Sequence, residues 1–305
     1  MTELPLLFQT GGDTLLGILH ETGEPKPTKG VLIVVGGPQY RVGSHRQFVL
    51  LARFLAARGI PVLRFDYRGM GDASGTQRDF EQIDADVAAA LAAFHAAVPS
   101  LRGMVLWGLC DAASAALLTA WRQPTVKGLI LLNPWVRTEQ GLARAYLKHY
   151  YLRRLIDRDF WKNVFGGRVN PLASLRSLTR AAAAAISGSK ADLAPPTERK
   201  ESCLAEQSSL TRPTTRPQHD LSPLPIRMAE GWKRFDGPIL VILSGDDLTA
   251  AEFRDTALKA PTWRGLLAEP RVTLKELPDA NHTFSTGVWR DQIAEWTAEW
   301  VDRLP

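Results

Sequence analysis

Three short stretches of this chain carry residue types at spacings that could do nucleophilic chemistry. The first is Gly108-Leu109-Cys110-Asp111-Ala112, a corner between the apolar run 102–108 and an Ala- and Leu-rich helical pattern. Small residues two positions either side of a nucleophile suit a strained strand-to-helix turn, because the two backbones approach closely there. Ala112 stands where such corners more often carry Gly, and Cys110 where they carry Ser. A thiol at a helix N-terminus meets the positive end of the helix dipole, which favours the reactive thiolate. The competing reading of Cys110 is an inert thiol in the core. The second stretch is Gly245-Asp246-Asp247, at the end of the apolar run 237–245. Either carboxylate could orient an imidazole; Asp247 is the expected acid, Asp246 the runner-up, and either could instead cap the helical pattern that follows. The third is "LPDANHTFS", which puts His282 on a polar loop before the last helical pattern. There it could take a thiol proton or pair with a thiolate, its tautomer held by the acid.

Attack on an acyl carbon also needs two N–H groups aimed at the developing oxyanion. Asp111, the residue after the nucleophile, should supply one from its backbone. The other should come from the loop "VVGGPQYRVGSHRQF". Pro38 has no N–H to offer, so Gly37 or Gln39 must supply it. Arg41, His45 and Arg46 on the same loop are candidates for holding an anionic group of a substrate. In "FDYRGMGDASG", 65–75, Asp66 and Arg68 are expected to brace the loop rather than do chemistry.

These residues need a frame. Short strand-like runs recur at 14–21, 30–35, 61–66, 102–108, 126–133, 237–245 and 271–278, with helical patterns near 46–58, 79–97, 111–122, 250–259 and 288–303. Alternation of this kind predicts a mostly parallel sheet covered by helices on both faces. Ligands then bind beyond the carboxyl ends of the strands, where each of the three stretches lies. One interval breaks the rhythm. The division expected is a core part at 1–135, an insertion at 136–236, and the rest of the core at 237–305. The insertion begins helical and basic; near 180–225 it turns rich in Pro, Ser and Thr and is expected to be disordered.

The bulk composition excludes several classes. Of the formal charge of +5, residues 136–163 supply +4, with seven Lys/Arg against three Asp/Glu. No nucleic-acid motif accompanies that excess, so no nucleic-acid partner is expected. Tyr146, Tyr150, Tyr151, Phe160 and Trp161 interleave there with Arg144, Lys148, Arg153, Arg154 and Arg158. A lid helix with a solvated basic face is the plainer reading; peripheral contact with an anionic membrane, or with a lipid- or sugar-linked substrate, is the sharper one. Cys110 and Cys203 make neither a disulfide framework nor a metal-ligand spacing. No apolar run reaches the ~20 residues of a membrane span, and "MTELPLLFQTGGD" lacks the features of a secretory leader. A cytoplasmic location and no metal or organic cofactor are therefore expected. Composition leaves the oligomeric state open.

Taken together, "GGPQYRVGSHRQF", "RFDYRGMGDASG", "GLCDAASA", "SGDDLTAAEF" and "NHTFS" resemble the exosortase A system-associated hydrolases, type 1. The resemblance covers most of the chain outside the Pro/Ser/Thr-rich stretch. It implies an α/β-hydrolase fold: an eight-stranded, mostly parallel sheet with helices on both faces and a helical lid insertion. It also implies a hydrolase or acyltransferase linked to exopolysaccharide production, with Cys110, an Asp of the 246–247 pair and His282 at the triad positions. Cysteine at this corner is also a feature of dienelactone-hydrolase-like enzymes, which makes small ester or lactone hydrolysis the nearest alternative. A non-catalytic scaffold is the third, because the Asp111 carboxylate sits beside the place where negative charge would develop.

Overall fold

A computed structural model describes residues 2–23, 26–37, 39–136 and 222–304. The strands are β1 (Thr2–Thr10), β2 (Asp13–Glu21), β3 (Lys29–Val34), β4 (Val62–Asp66), β5 (Gly103–Leu109), β6 (Val126–Leu132), β7 (Ile239–Asp246) and β8 (Val272–Asn281). They form one eight-stranded sheet in the order β1-β2-β4-β3-β5-β6-β7-β8. β2 runs antiparallel to both β1 and β4, and every other neighbouring pair is parallel.

The apolar runs serve both faces of this sheet, which is why they read as continuous rather than alternating. Leu32 and Val34 of β3 enter one core with Leu106 of β5, Leu129 of β6 and Val241 of β7. That side is closed by α2 (Asp84–Ala97), α3 (Asp111–Thr119), α4 (Leu224–Arg234) and α5 (Leu248–Lys259). Val31 and Ile33 enter the other core with Val105, Trp107, Ile130 and Ile242. α1 (Gln47–Ala57) and α6 (Gly287–Asp302) close that side.

The sheet and these helices lie in one compact unit, Met1–Arg137 with Leu224–Pro305. Of the insertion expected at 136–236, residues 137–221 lie outside the described residues, and so does the aromatic and basic stretch expected to form a lid or touch a membrane. α4, at the end of that interval, packs on α3 so closely that a Cβ on Gly231 would stand 2.0 Å from the Leu117 carbonyl oxygen. No helix among the described residues is long and apolar enough to cross a membrane.

One buried polar pair bears on stability. His20 of β2 is fully buried, and its Nε2 accepts a hydrogen bond of 2.9 Å from Arg64 Nε. Burial first, and then the Arg64 charge, pull the imidazole pKa from 6.5 to about 4. The unfolded chain takes up this proton near 6.5 and the folded chain only near 4, so stability is lost as pH falls through that window. The loss is on the order of 3 kcal/mol. His20→Gln keeps an acceptor for Arg64 and should flatten the fall of the urea midpoint between pH 6.5 and 4. An unchanged slope would mean that the proton uptake lies elsewhere.

Candidate active site

β5 and α3 are separated by one residue, Cys110, with φ 63 and ψ −123. A non-glycine residue in that region costs about 1–3 kcal/mol and persists only where its surroundings over-determine it. Here they do. The Cys110 N–H donates to the Leu132 carbonyl at 2.9 Å, and its own carbonyl accepts from Ala113 N at 3.1 Å and Trp135 N at 3.2 Å. A Cβ on Gly108 would stand 2.6 Å from the Ala112 carbonyl carbon and oxygen, so the tight strand-to-helix passage requires glycine there. The methyl group of Ala112 is accommodated, fully buried. Cys110 itself is half-buried at the start of α3, at the margin of the core beneath α1 and α6.

Asp247 follows β7 and opens α5. Its Oδ1 accepts from Thr249 N at 3.1 Å and its Oδ2 from Ala250 N at 3.0 Å. The same Oδ2 lies 2.9 Å from His282 Nδ1. The cap and the imidazole partner are thus one side chain, and the two readings of this carboxylate are compatible. Burial is the largest influence on Asp247 and pushes its carboxyl up. The His282 hydrogen bond and charge, with the N–H groups of Ala250 and Thr249, outweigh it and hold the pKa below the usual carboxylate value. Asp246 is exposed and sits in register with Asn281 across the β7–β8 pair. Of the two adjacent acids, it is Asp247 that reaches His282.

His282 leaves the end of β8 on a loop tied by Asn281, whose Oδ1 accepts from Ser285 N at 3.1 Å and whose Nδ2 donates to Ser285 Oγ at 2.8 Å. The imidazole keeps 36% of its surface exposed while its carboxylate partner keeps 7%. With Nδ1 as the donor to Asp247, Nε2 is the nitrogen left for chemistry.

Asn133 is a residue that the motifs miss. It is fully buried at the end of β6, with φ 42. Its Nδ2 donates to Ser244 Oγ at 2.8 Å and to the His282 carbonyl at 3.1 Å, and its Oδ1 accepts from Ser244 N at 2.9 Å. The neighbouring Leu132 carbonyl holds the Cys110 N–H, so the end of β6 is the strut between the elbow and the histidine loop. In the sequence, "LLNPW" reads only as a turn after a strand, because Asn-Pro favours one. Asn133→Ala should lower stability by about 2–4 kcal/mol, since it strands buried partners and a positive φ together. A urea midpoint within error of the wild type would refute the strut.

The loop after β3 is tied both to the elbow and to the loop after β4. The Gly37 N–H donates to Asp111 Oδ2 at 2.7 Å, and so is turned toward that carboxylate. Arg41, one of the candidates for an anionic substrate group, pairs with the next loop. Its guanidinium pairs with Asp66 and with Asp72, and its backbone N–H donates to Asp66 Oδ1 at 2.7 Å. The guanidinium charge is thus compensated by two carboxylates, a pairing that suits a brace for the loop. Asp66 also accepts from Asp72 N at 3.1 Å, and Arg68 forms a two-pronged pair with Asp86 at 2.9 Å for each contact. His45 and Arg46 are exposed, at consecutive positive φ values of 51 and 61. They stand apart from the Asp66 brace, on the turn into α1. Gln39 accepts at Oε1 from Ser44 N at 3.3 Å.

The residues after β3, β5, β6, β7 and β8 therefore lie along the same carboxyl edge of five adjacent parallel strands. The profile of the alpha/beta hydrolase family matches residues 31–296. The chain belongs to that family. The alpha/beta hydrolase fold is shared at low identity by many solved structures. The esterase Pf2001 of Pyrococcus furiosus superposes with a TM-score of 0.61 at 14% identity, over 99% of this chain and 91% of that one. DcsB in complex with its substrate analogue gives 0.62 at 15% identity, over 99% of both chains. Dienelactone hydrolase from Anabaena variabilis gives 0.58 at 14%, over 99% and 98%. Identities this low speak to the fold. No curated protein sequence matches the chain.

Proposed function

We propose that this alpha/beta hydrolase cleaves or transfers acyl groups from esters or thioesters, with Cys110 as nucleophile, His282 as general base and acid, and Asp247 as the residue that orients the imidazole. The observation that carries this reading is the 2.9 Å contact between His282 Nδ1 and Asp247 Oδ2. It leaves Nε2 of a half-exposed imidazole for a proton, at the same strand edge as the Cys110 corner. The positive end of α3 faces the sulfur-bearing residue, which supports a thiolate there.

The thiolate attacks the acyl carbon and the carbonyl π electrons move to oxygen. The oxyanion is held by the Asp111 N–H and by the Gln39 N–H, the loop donor that remains once Gly37 is turned to the Asp111 carboxylate and Pro38 has none. Collapse expels the alkoxide or thiolate, which takes a proton from His282, and leaves an S-acyl enzyme. His282 then removes a proton from water or from an acceptor hydroxyl, whose oxygen attacks the thioester and releases Cys110. Attack of a thiolate on a thioester exchanges like for like, so transfer is as natural here as hydrolysis. The names of the esterase and the dienelactone hydrolase among its structural neighbours support ester and lactone substrates. The resemblance carried by "GGPQYRVGSHR" and "GLCDAA" supports a role beside an exosortase and exopolysaccharide system.

Incubation with a panel of acyl thioesters, activated esters and a dienelactone, followed by intact-mass measurement, should show one acyl increment per chain on Cys110. Absence of both adduct and turnover across the panel would favour the non-catalytic scaffold.

A further inference from the structure

Asp111 does two separate things at the elbow. Its backbone N–H belongs to the oxyanion hole in the reading above, while its side chain turns away from the sulfur onto the loop after β3. Oδ2 accepts from Gly37 N at 2.7 Å, and Oδ1 accepts from Ala112 N at 3.0 Å. The loop is shaped to receive it: a Cβ on Gly36 would stand 2.0 Å from Asp111 Oδ1, and also 2.9 Å from Ala112 N and 3.0 Å from the Leu109 carbonyl oxygen, so a larger residue there would press on the carboxyl group and on the elbow backbone together. Gly37, by contrast, has nothing within 4 Å of such a Cβ, and its requirement is the backbone turn at φ 61. Two adjacent glycines thus serve one carboxylate, one by making room and the other by turning its N–H inward.

An acidic residue in the first turn of a helix would gain its dipole energy while facing water. Asp111 is instead turned inward, and burial, as the largest cause, pushes its pKa up to about 6 against the pull of the N–H groups of Gly37, Ala112 and Asp111 itself. Tyr67 and Asp79 are the titratable groups whose charges act with it. The helix does not need an arrangement that costs solvation. The loop does, because it connects to the elbow here through one charge-assisted contact, two residues before Gln39.

We infer that the Asp111 side chain is a positioning residue: a strap from α3 to Gly37 that fixes the second oxyanion donor, Gln39 N, relative to the first, Asp111 N. The inference rests on the catalytic reading of Cys110 and deepens it. It makes the two most specific segments of the sequence, "GGPQ" and "GLCDAA", a single device. One donor set loosely in place of one held rigidly should cost acylation on the scale of losing an oxyanion contact, about 10²-fold.

The test separates reactions that need the hole from one that does not. Alkylation of Cys110 by iodoacetamide needs the sulfur and the imidazole but builds no oxyanion, whereas acylation by p-nitrophenyl acetate does. Asp111→Ala should keep the alkylation rate within about twofold of the wild type and slow acylation by about 10²-fold. Asp111→Asn, which keeps the volume and one acceptor oxygen, should fall between the two. If alkylation and acylation fall together, Asp111 shapes the elbow and the strap is wrong; if neither falls, it is also wrong. A wild-type protein that is alkylated but never acylated overturns the catalytic reading, and the strap with it.

Discussion

Cys110→Ala is expected to abolish the acyl adduct and to lower turnover of any ester that the wild type accepts by at least 10³-fold. Its stability should change little. The thiol is half-buried, alanine can occupy the same φ 63 corner at similar strain, and the backbone hydrogen bonds of residue 110 to Leu132, Ala113 and Trp135 do not depend on the side chain. That contrast makes the test sharp. A residue retained for packing would show the loss in the urea midpoint, at about 1 kcal/mol or more. A residue retained for chemistry shows it in the rate alone. The strain points the same way: a non-glycine residue at φ 63 is a cost that the fold itself has no use for, and such costs cluster at functional sites. Turnover persisting in Cys110→Ala would move the nucleophile elsewhere and would remove the reason for the corner.

The parts of this fold legible from sequence were those with a one-dimensional signal. The central strands are continuous apolar runs because they are buried on both faces, and punctuation by Gly and Pro marks their ends within a residue or two. β1 carries no such signal. "TELPLLFQT" is mostly exposed and contains a proline, and it is a strand only because it pairs along its whole length with β2. The mark was in the turn: Gly11 and Gly12, at φ 60 and 87, are the residue types that a two-residue hairpin demands. α4 is hidden for a different reason. It contains Pro225 and Gly231, follows a Pro/Ser/Thr-rich run, and gains its stability from burying Met228 and Trp232 beside α3. At the site, the order of Cys110, acid and His282 follows from strand ends and can be read directly. The direction in which a side chain turns cannot be. In the sequence the Asp111 carboxylate looks set against a developing oxyanion and Arg41 looks available to a substrate; both are turned to partners in neighbouring loops. Asn133 looks like punctuation, yet it joins β6, β7 and the histidine loop.

Asp247→Asn should separate the two duties of one carboxylate. Asparagine caps helices about as well as aspartate, so α5 should keep its first turn and the urea midpoint near neutral pH should shift by less than about 1 kcal/mol. Asp247→Ala loses the cap as well and should cost about 1–2 kcal/mol. Catalysis should respond differently. An amide NH₂ facing His282 Nδ1 is a donor facing a donor, and the imidazole escapes by moving its proton to Nε2, the nitrogen that must be bare to take one. In serine enzymes this inversion costs about 10⁴-fold. A thiol ionises with less help, so a loss of about 10²-fold or more is expected here in both variants. The pH profile carries an independent sign. The folded pKa of Asp247 lies below its ordinary 3.8, so its contribution to stability is complete above that value and disappears as pH falls through the lowered one. The wild type should therefore lose the part of its stability advantage over Asp247→Asn that comes from this carboxylate's own titration only in strong acid. Equal turnover in wild type and Asp247→Asn would leave this carboxylate as a helix cap alone, and the imidazole of His282 would then need another partner.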